Sequence, residues 1–159
     1  MSSPLPRCRP FTEPYDKAEL AADAAVHFVG IGCALFGITL LVPKAEHLQA
    51  LQGASVLIYG LSLVTLFITS AAYNFWPGIA GKLVLRRVDQ SVIFLFIAAT
   101  YSPLISVAHD EPSRVLLAAI WSTAWVGVVL RLGCPGRFER LSIILCLILG
   151  WSGLFVYCI

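Results

Sequence analysis

The chain has 159 residues, 58% hydrophobic and 13% charged, with a formal net charge of +2 at pH 7 and a mean hydropathy of +0.85. Soluble domains carry roughly 25% charged residues, so this composition excludes an ordinary soluble domain. The chain is also too apolar to be disordered and too weakly basic for a nucleic-acid partner, which leaves the bilayer as its solvent.

The first 16 residues are polar and carry Pro4, Pro6, Pro10 and Pro14, a spacing that cannot sustain a helix. Residues 1–16 therefore read as a mobile cytoplasmic tail and 17–159 as a transmembrane bundle. No signal-peptide core precedes the first apolar run, so no removed targeting segment is expected. A spanning helix needs about 20 mostly apolar residues. Five such runs follow in order, at about 22–42, 50–73, 91–108, 115–132 and 141–159, giving an all-α, multi-pass architecture. Pro103 is expected to kink the third helix or end it early. Gly30, Gly32, Gly37, Gly53, Gly60, Gly150 and Gly153 mark places where helix backbones can approach closely.

Three Lys and Arg precede the first span (Arg7, Arg9, Lys17), and one, three, one and three lie in or beside the successive connections (Lys44; Lys82, Arg86, Arg87; Arg114; Arg131, Arg137, Arg140). By the positive-inside rule the N-terminus is cytoplasmic, and an odd number of spans puts Ile159 on the far side. Arg86, Arg87, Arg137 and Arg140 suit headgroup anchors. His47 and His109 fall on the outer side and receive no role. The cysteines, Cys8, Cys33, Cys134, Cys146 and Cys158, form no C-x-x-C pair and read as free thiols.

Ionisable groups within spans are costly and mark candidate sites. Glu19, Asp23 and His27 recur every four residues and share one helical face. Ser70, Tyr73 and Asn74 end the second span, while Asp89, Gln90 and Ser91 open the third. Three helices thus bring polar groups to one level at the inner leaflet. Two simpler readings stand beside this one: Asp89 suits a cap of the third helix or a partner of Arg86 or Arg87, and the acidic trio suits an interfacial helix start. No G-x-S-x-G, P-loop or G-x-G-x-x-G motif occurs.

The same residues carry a resemblance. Glu19-x3-Asp23-x3-His27-x2-Gly30 resembles the opening E…N…H..G motif of the hemolysin III family. Ser70-Ala71-Ala72-Tyr73-Asn74 resembles its S-x-x-Y-H, and Leu85-Arg86-Arg87-Val88-Asp89-Gln90 its L-R-R-x-D-H. Downstream, Thr100-Tyr101-Ser102-Pro103, Ile120-Trp121 and Gly150-Trp151 resemble further family segments in the same order. That family is grouped with the progestin and adiponectin receptors and the alkaline ceramidases.

The resemblance implies a seven-helix bundle in a bacterial inner membrane, with a zinc ion held by the histidine of S-x-x-Y-H and two histidines of the last helix. An aspartate before the third helix would hold a metal-bound water, chemistry suited to hydrolysing a lipid amide or ester. Here Asn74 replaces the first histidine and Gln90 the second residue of D-H. The five spans correspond to the first five helices of that fold, so the ligand set is incomplete and no metal residue is assigned. Asp89 and Ser70 are the candidate catalytic residues; Glu19, Asp23, His27 and Asn74 are candidate binding residues. The expectation is a shortened, non-catalytic homologue with a membrane-perturbing, pore or receptor-like role, with membrane lipids and further copies of itself as partners. The alternative is a zinc-dependent lipid hydrolase at the cytoplasmic leaflet.

Overall fold

The computed structural model describes residues 17–107, 110–133 and 139–153. They form five helices and no strand: α1 (Lys17–Glu46), α2 (Ala50–Phe75), α3 (Ile79–Ile105), α4 (Glu111–Gly133) and α5 (Glu139–Trp151). The first four are long and apolar enough to cross a membrane. The 26 residues of α2 contain no charged side chain and at 1.5 Å per residue reach about 39 Å, more than the ~30 Å of hydrocarbon. The expected tail, 1–16, lies outside the described residues. So does the end of the expected fifth span, of which Glu139–Trp151 is the described part.

The largest departure from the expected spans is in α3. Most of the expected connection 74–90 is helical, because no proline follows Pro77 before Pro103 and Gly81 is accommodated in the first turn, where a Cβ would meet the Trp76 ring. Asp89 therefore lies ten residues into α3, not at its start, and Gly78 takes the N-cap position. The cap reading of Asp89 is thereby excluded. Pro103 does bring α3 to an end: the helix stops at Ile105, with the Ser106 N–H donating to the Ser102 carbonyl at 2.9 Å.

The helices pack as neighbours in chain order, α1 on α2, α2 on α3 and α3 on α4, with α5 against both α4 and α3. The central helix is α3. Its residues Phe94, Ala98, Tyr101 and Ile105, spaced one helical turn apart, form the core with Ile120, Ala124 and Val128 of α4 and Leu149 of α5. Small residues let these surfaces close. A Cβ at Gly127 would sit 2.5 Å from the Phe94 ring, so only glycine admits that ring against α4. Gly53, similarly, lies under the Ala45 carbonyl of α1, 2.7 Å from where its Cβ would be. Gly30, Gly60 and Gly153 also meet neighbouring side chains, whereas Gly32, Gly37 and Gly150 face open space and take no part in packing.

Outside this core the helices present a continuous apolar belt, with Phe28, Val29, Phe36, Leu51, Leu61, Val115 and Trp151 all exposed. In water such a surface would drive association; here it faces lipid. Trp76 is exposed at the end of α2, in the usual belt position, and Trp125 and Trp151 face outward. Trp121 packs inward, its Nε1–H donating to Ser102 Oγ at 3.1 Å.

At the start of α4 the Asp110 carboxylate accepts from the Ser113 hydroxyl at 2.9 Å and from its backbone N–H at 3.1 Å. This capping pair satisfies an orphan donor. The Ser113 hydroxyl, followed by its N–H, holds the Asp110 carboxyl below its ordinary value of 3.8. A depressed native pKa adds stability above the unfolded value and loses it as pH falls through the native one. Asp110→Ala is thus expected to lower the unfolding temperature at pH 7, with the deficit shrinking below pH 3.8. Gly127→Ala is expected to cost about 1–3 kcal/mol through overpacking, read as a lower unfolding temperature in detergent. Gly32→Ala, made at an open position, should leave it unchanged.

Candidate functional site

His27 organises the polar site. Ten residues into α1 it is buried, and its Nδ1 lies 2.6 Å from the Asp23 carbonyl one turn earlier. A carbonyl only accepts, so Nδ1 carries a proton. The ring stands edge-on to Phe75, with centroids 5.9 Å apart. That orientation aims Nε2 at α2, where Ser70 Oγ lies at 3.2 Å and Asn74 Nδ2 at 3.3 Å. Ser70 and Asn74 are four residues apart and therefore share a face.

Asp89 of α3 lies beside Ser70 and within electrostatic reach of His27. The bonds to His27 join α1 to α2, and Asp89 brings α3 to the same place.

The expected convergence therefore occurs for His27, Ser70, Asn74 and Asp89. Asp23 enters through its backbone carbonyl, not its carboxylate. Glu19 lies eight residues before His27, two turns nearer the start of α1, and is exposed. Lys82 stacks 5.5 Å over the Tyr73 ring and so joins the end of α2 to the first turn of α3.

A second polar tie escapes the sequence reading. Arg131, near the end of α4, donates from Nε to Ser142 of α5 at 2.7 Å and from Nη1 to Gln90 Oε1 of α3 at 2.9 Å. Gln90 is thus a helix-binding acceptor one residue beyond Asp89. The available signal was a lone arginine in the last turn of a span, where the helix dipole favours a cation. Tyr101 Oη, similarly, donates to the Leu149 and Gly150 carbonyls of α5, each at 2.9 Å.

These donors do not suit zinc. Structural and catalytic zinc sites take three or four nitrogen, sulfur or carboxylate ligands. Among the described residues no group of three or more His, Cys, Asp or Glu is placed to hold a metal ion. Asn74, a neutral amide at the ligand position, is turned onto His27, and both His27 nitrogens already have protein partners.

Comparison with known proteins agrees with this architecture. Residues 21–159 match the family described as HlyIII, Haemolysin-III related. The chain belongs to the hemolysin III family. It is 29% identical over 135 residues to the Hemolysin-3 homolog of Bacillus subtilis (strain 168), covering 84% of this chain and 63% of that one. It is 27% identical over 135 residues to Hemolysin-3 of Bacillus cereus, covering 84% and 62% respectively. The chain thus spans less than two thirds of the length of these relatives. No solved structure matches it.

If the cluster holds α1 against α2, removing one of its bonds should be felt. Ser70→Ala takes away one of the two partners of His27 Nε2, Asn74 remaining, and is expected to destabilise the fold by about 1 kcal/mol. A lower thermal unfolding midpoint in detergent, with unchanged helical content at 20 °C or so, would report it.

Proposed function

We propose that this chain is a non-catalytic hemolysin III-type protein of the plasma membrane that acts on the permeability of the bilayer, not on a lipid bond. The observation that carries the reading is Asn74. At the position where the family resemblance implies a zinc ligand stands an amide that hydrogen-bonds His27 Nε2, and the neighbouring Ser70 hydroxyl bonds the same nitrogen. Groups that elsewhere would activate water are spent on joining helices.

A membrane-perturbing role is supported by the printed names of its relatives, hemolysin-3 proteins of two Bacillus species. It is supported also by the apolar outer faces of α1 and α2, which lipid or a second copy of the chain would cover. In this reading the N-terminus is cytoplasmic, as the distribution of Lys and Arg favours, and the partners are membrane lipids and further copies of the chain.

The test pairs two measurements on detergent-purified protein without an affinity tag. Elemental analysis is expected to find far less than one zinc per chain in wild type and Asp89→Ala alike. Reconstituted into vesicles, the protein is expected to release an entrapped dye in proportion to protein concentration. Zinc near one per chain, lost on Asp89→Ala, together with hydrolysis of lipid amides or esters and intact vesicles, would replace this reading with the hydrolase.

A further inference from the structure

The polar cluster lies where α1 begins, α2 ends and α3 begins. At the opposite end, where α2 and α4 begin and α3 ends, the helices enclose a cavity of about 530 Å³. This falls within the roughly 300–1,000 Å³ of small-molecule sites. Leu51, Ile58, Ile105, Leu117 and Trp121 supply apolar walls, and Arg114 stands at its edge. On the α2 side Leu51, Ala54 and Ile58 are exposed on the outer surface of the bundle. The cavity therefore opens sideways, toward lipid.

Its polar atoms have little left to donate. Ser55 Oγ donates to the Gln52 carbonyl at 2.7 Å and faces Ser106 Oγ at 3.1 Å, while Ser106 Oγ also donates to the Pro103 carbonyl at 3.1 Å. Ser102 Oγ donates to the Ala98 carbonyl, and the Trp121 N–H is spent on Ser102. A ligand must therefore be apolar along the walls and meet its donor at the rim. The rim donor is Arg114, in the first turn of α4, where the helix end lies at headgroup level. Its partner is Glu111 at 3.0 Å, a pair 66% and 77% exposed and so weakly held. Asp110 also feels the Arg114 charge. One guanidinium beside two carboxylates disfavours a purely anionic head and suits one carrying a phosphate for Arg114 and an ammonium for the acids.

We propose that the cavity between α2, α3 and α4 holds one acyl chain of a zwitterionic aminophospholipid whose phosphate is bound by Arg114 and whose ammonium lies beside Asp110 and Glu111. The site is separate from the polar cluster and stands or falls independently of the permeability reading.

Native mass spectrometry of the full chain in detergent, with phosphatidylethanolamine, phosphatidylcholine or phosphatidylglycerol added in turn, tests it. One phosphatidylethanolamine per chain is expected to remain bound under activation that strips the other two, the choline head lacking N–H donors for the acids. Ala54→Phe, an exposed rim position whose new ring projects into the cavity, is expected to lower its occupancy about tenfold, as is Arg114→Gln, which removes a charge-assisted bond. Wild-type occupancy in both variants would assign the lipid to the general apolar belt and overturn the proposal. Retention of phosphatidylglycerol as strong as that of phosphatidylethanolamine would overturn the headgroup assignment. A lipid-free dimer abolished by Ala54→Phe would overturn it in favour of a second copy. Should Ala54→Phe fail to reach wild-type helicity, Arg114→Gln alone decides.

Discussion

Inside a bilayer there is no water to satisfy a polar group, so every donor and acceptor that enters a span must find its partner within the protein. His27 is the residue on which this constraint acts most directly. Its ring is buried between α1 and α2, one nitrogen returned to its own helix at Asp23 and the other turned to Ser70 and Asn74. Asp89 of α3 lies beside Ser70. The bonds to His27 fix α1 and α2 in register, because sliding either would strand a polar group in hydrocarbon.

The same logic operates at the other side of α3. Arg131 reaches Gln90 and Ser142, and Tyr101 reaches the carbonyls of α5. Hydrophobic burial cannot distinguish one apolar face from another in lipid, so close contact at Gly127 and these few hydrogen bonds select which faces meet. Residues 89 and 90, adjacent in sequence, point to different partners and make α3 the helix through which α1 and α2 are connected to α4 and α5.

Much of this was legible in the residues themselves. Mostly apolar runs long enough to cross a membrane revealed the four long helices, and rare polar residues at one level revealed the cluster, since an ionisable group inside a span has few other reasons to be there. What spacing could not supply was the start of α3. Gly81, Lys82, Arg86 and Arg87 make residues 79–90 look like a connection, although they contain no proline and the helix runs through them, and this misplaced Asp89 as a possible cap. Glycine composition was equally ambiguous: Gly30, Gly53 and Gly60 touch a neighbour and Gly32 and Gly37 do not, a distinction set by helix rotation that a single sequence does not encode. Arg131 was hidden among residues that serve as headgroup anchors.

The central claim is that the His27 cluster is closed upon itself by hydrogen bonds and is not a metal centre. Nitrogen-15 magnetic resonance of the chain in nanodiscs, with its histidines labelled and His27 assigned through His27→Gln, tests this most directly. The account predicts that Nδ1 of His27 stays protonated and hydrogen-bonded, and that neither ring nitrogen responds to added zinc. A zinc-dependent shift of His27, lost in Asp89→Ala, would contradict it.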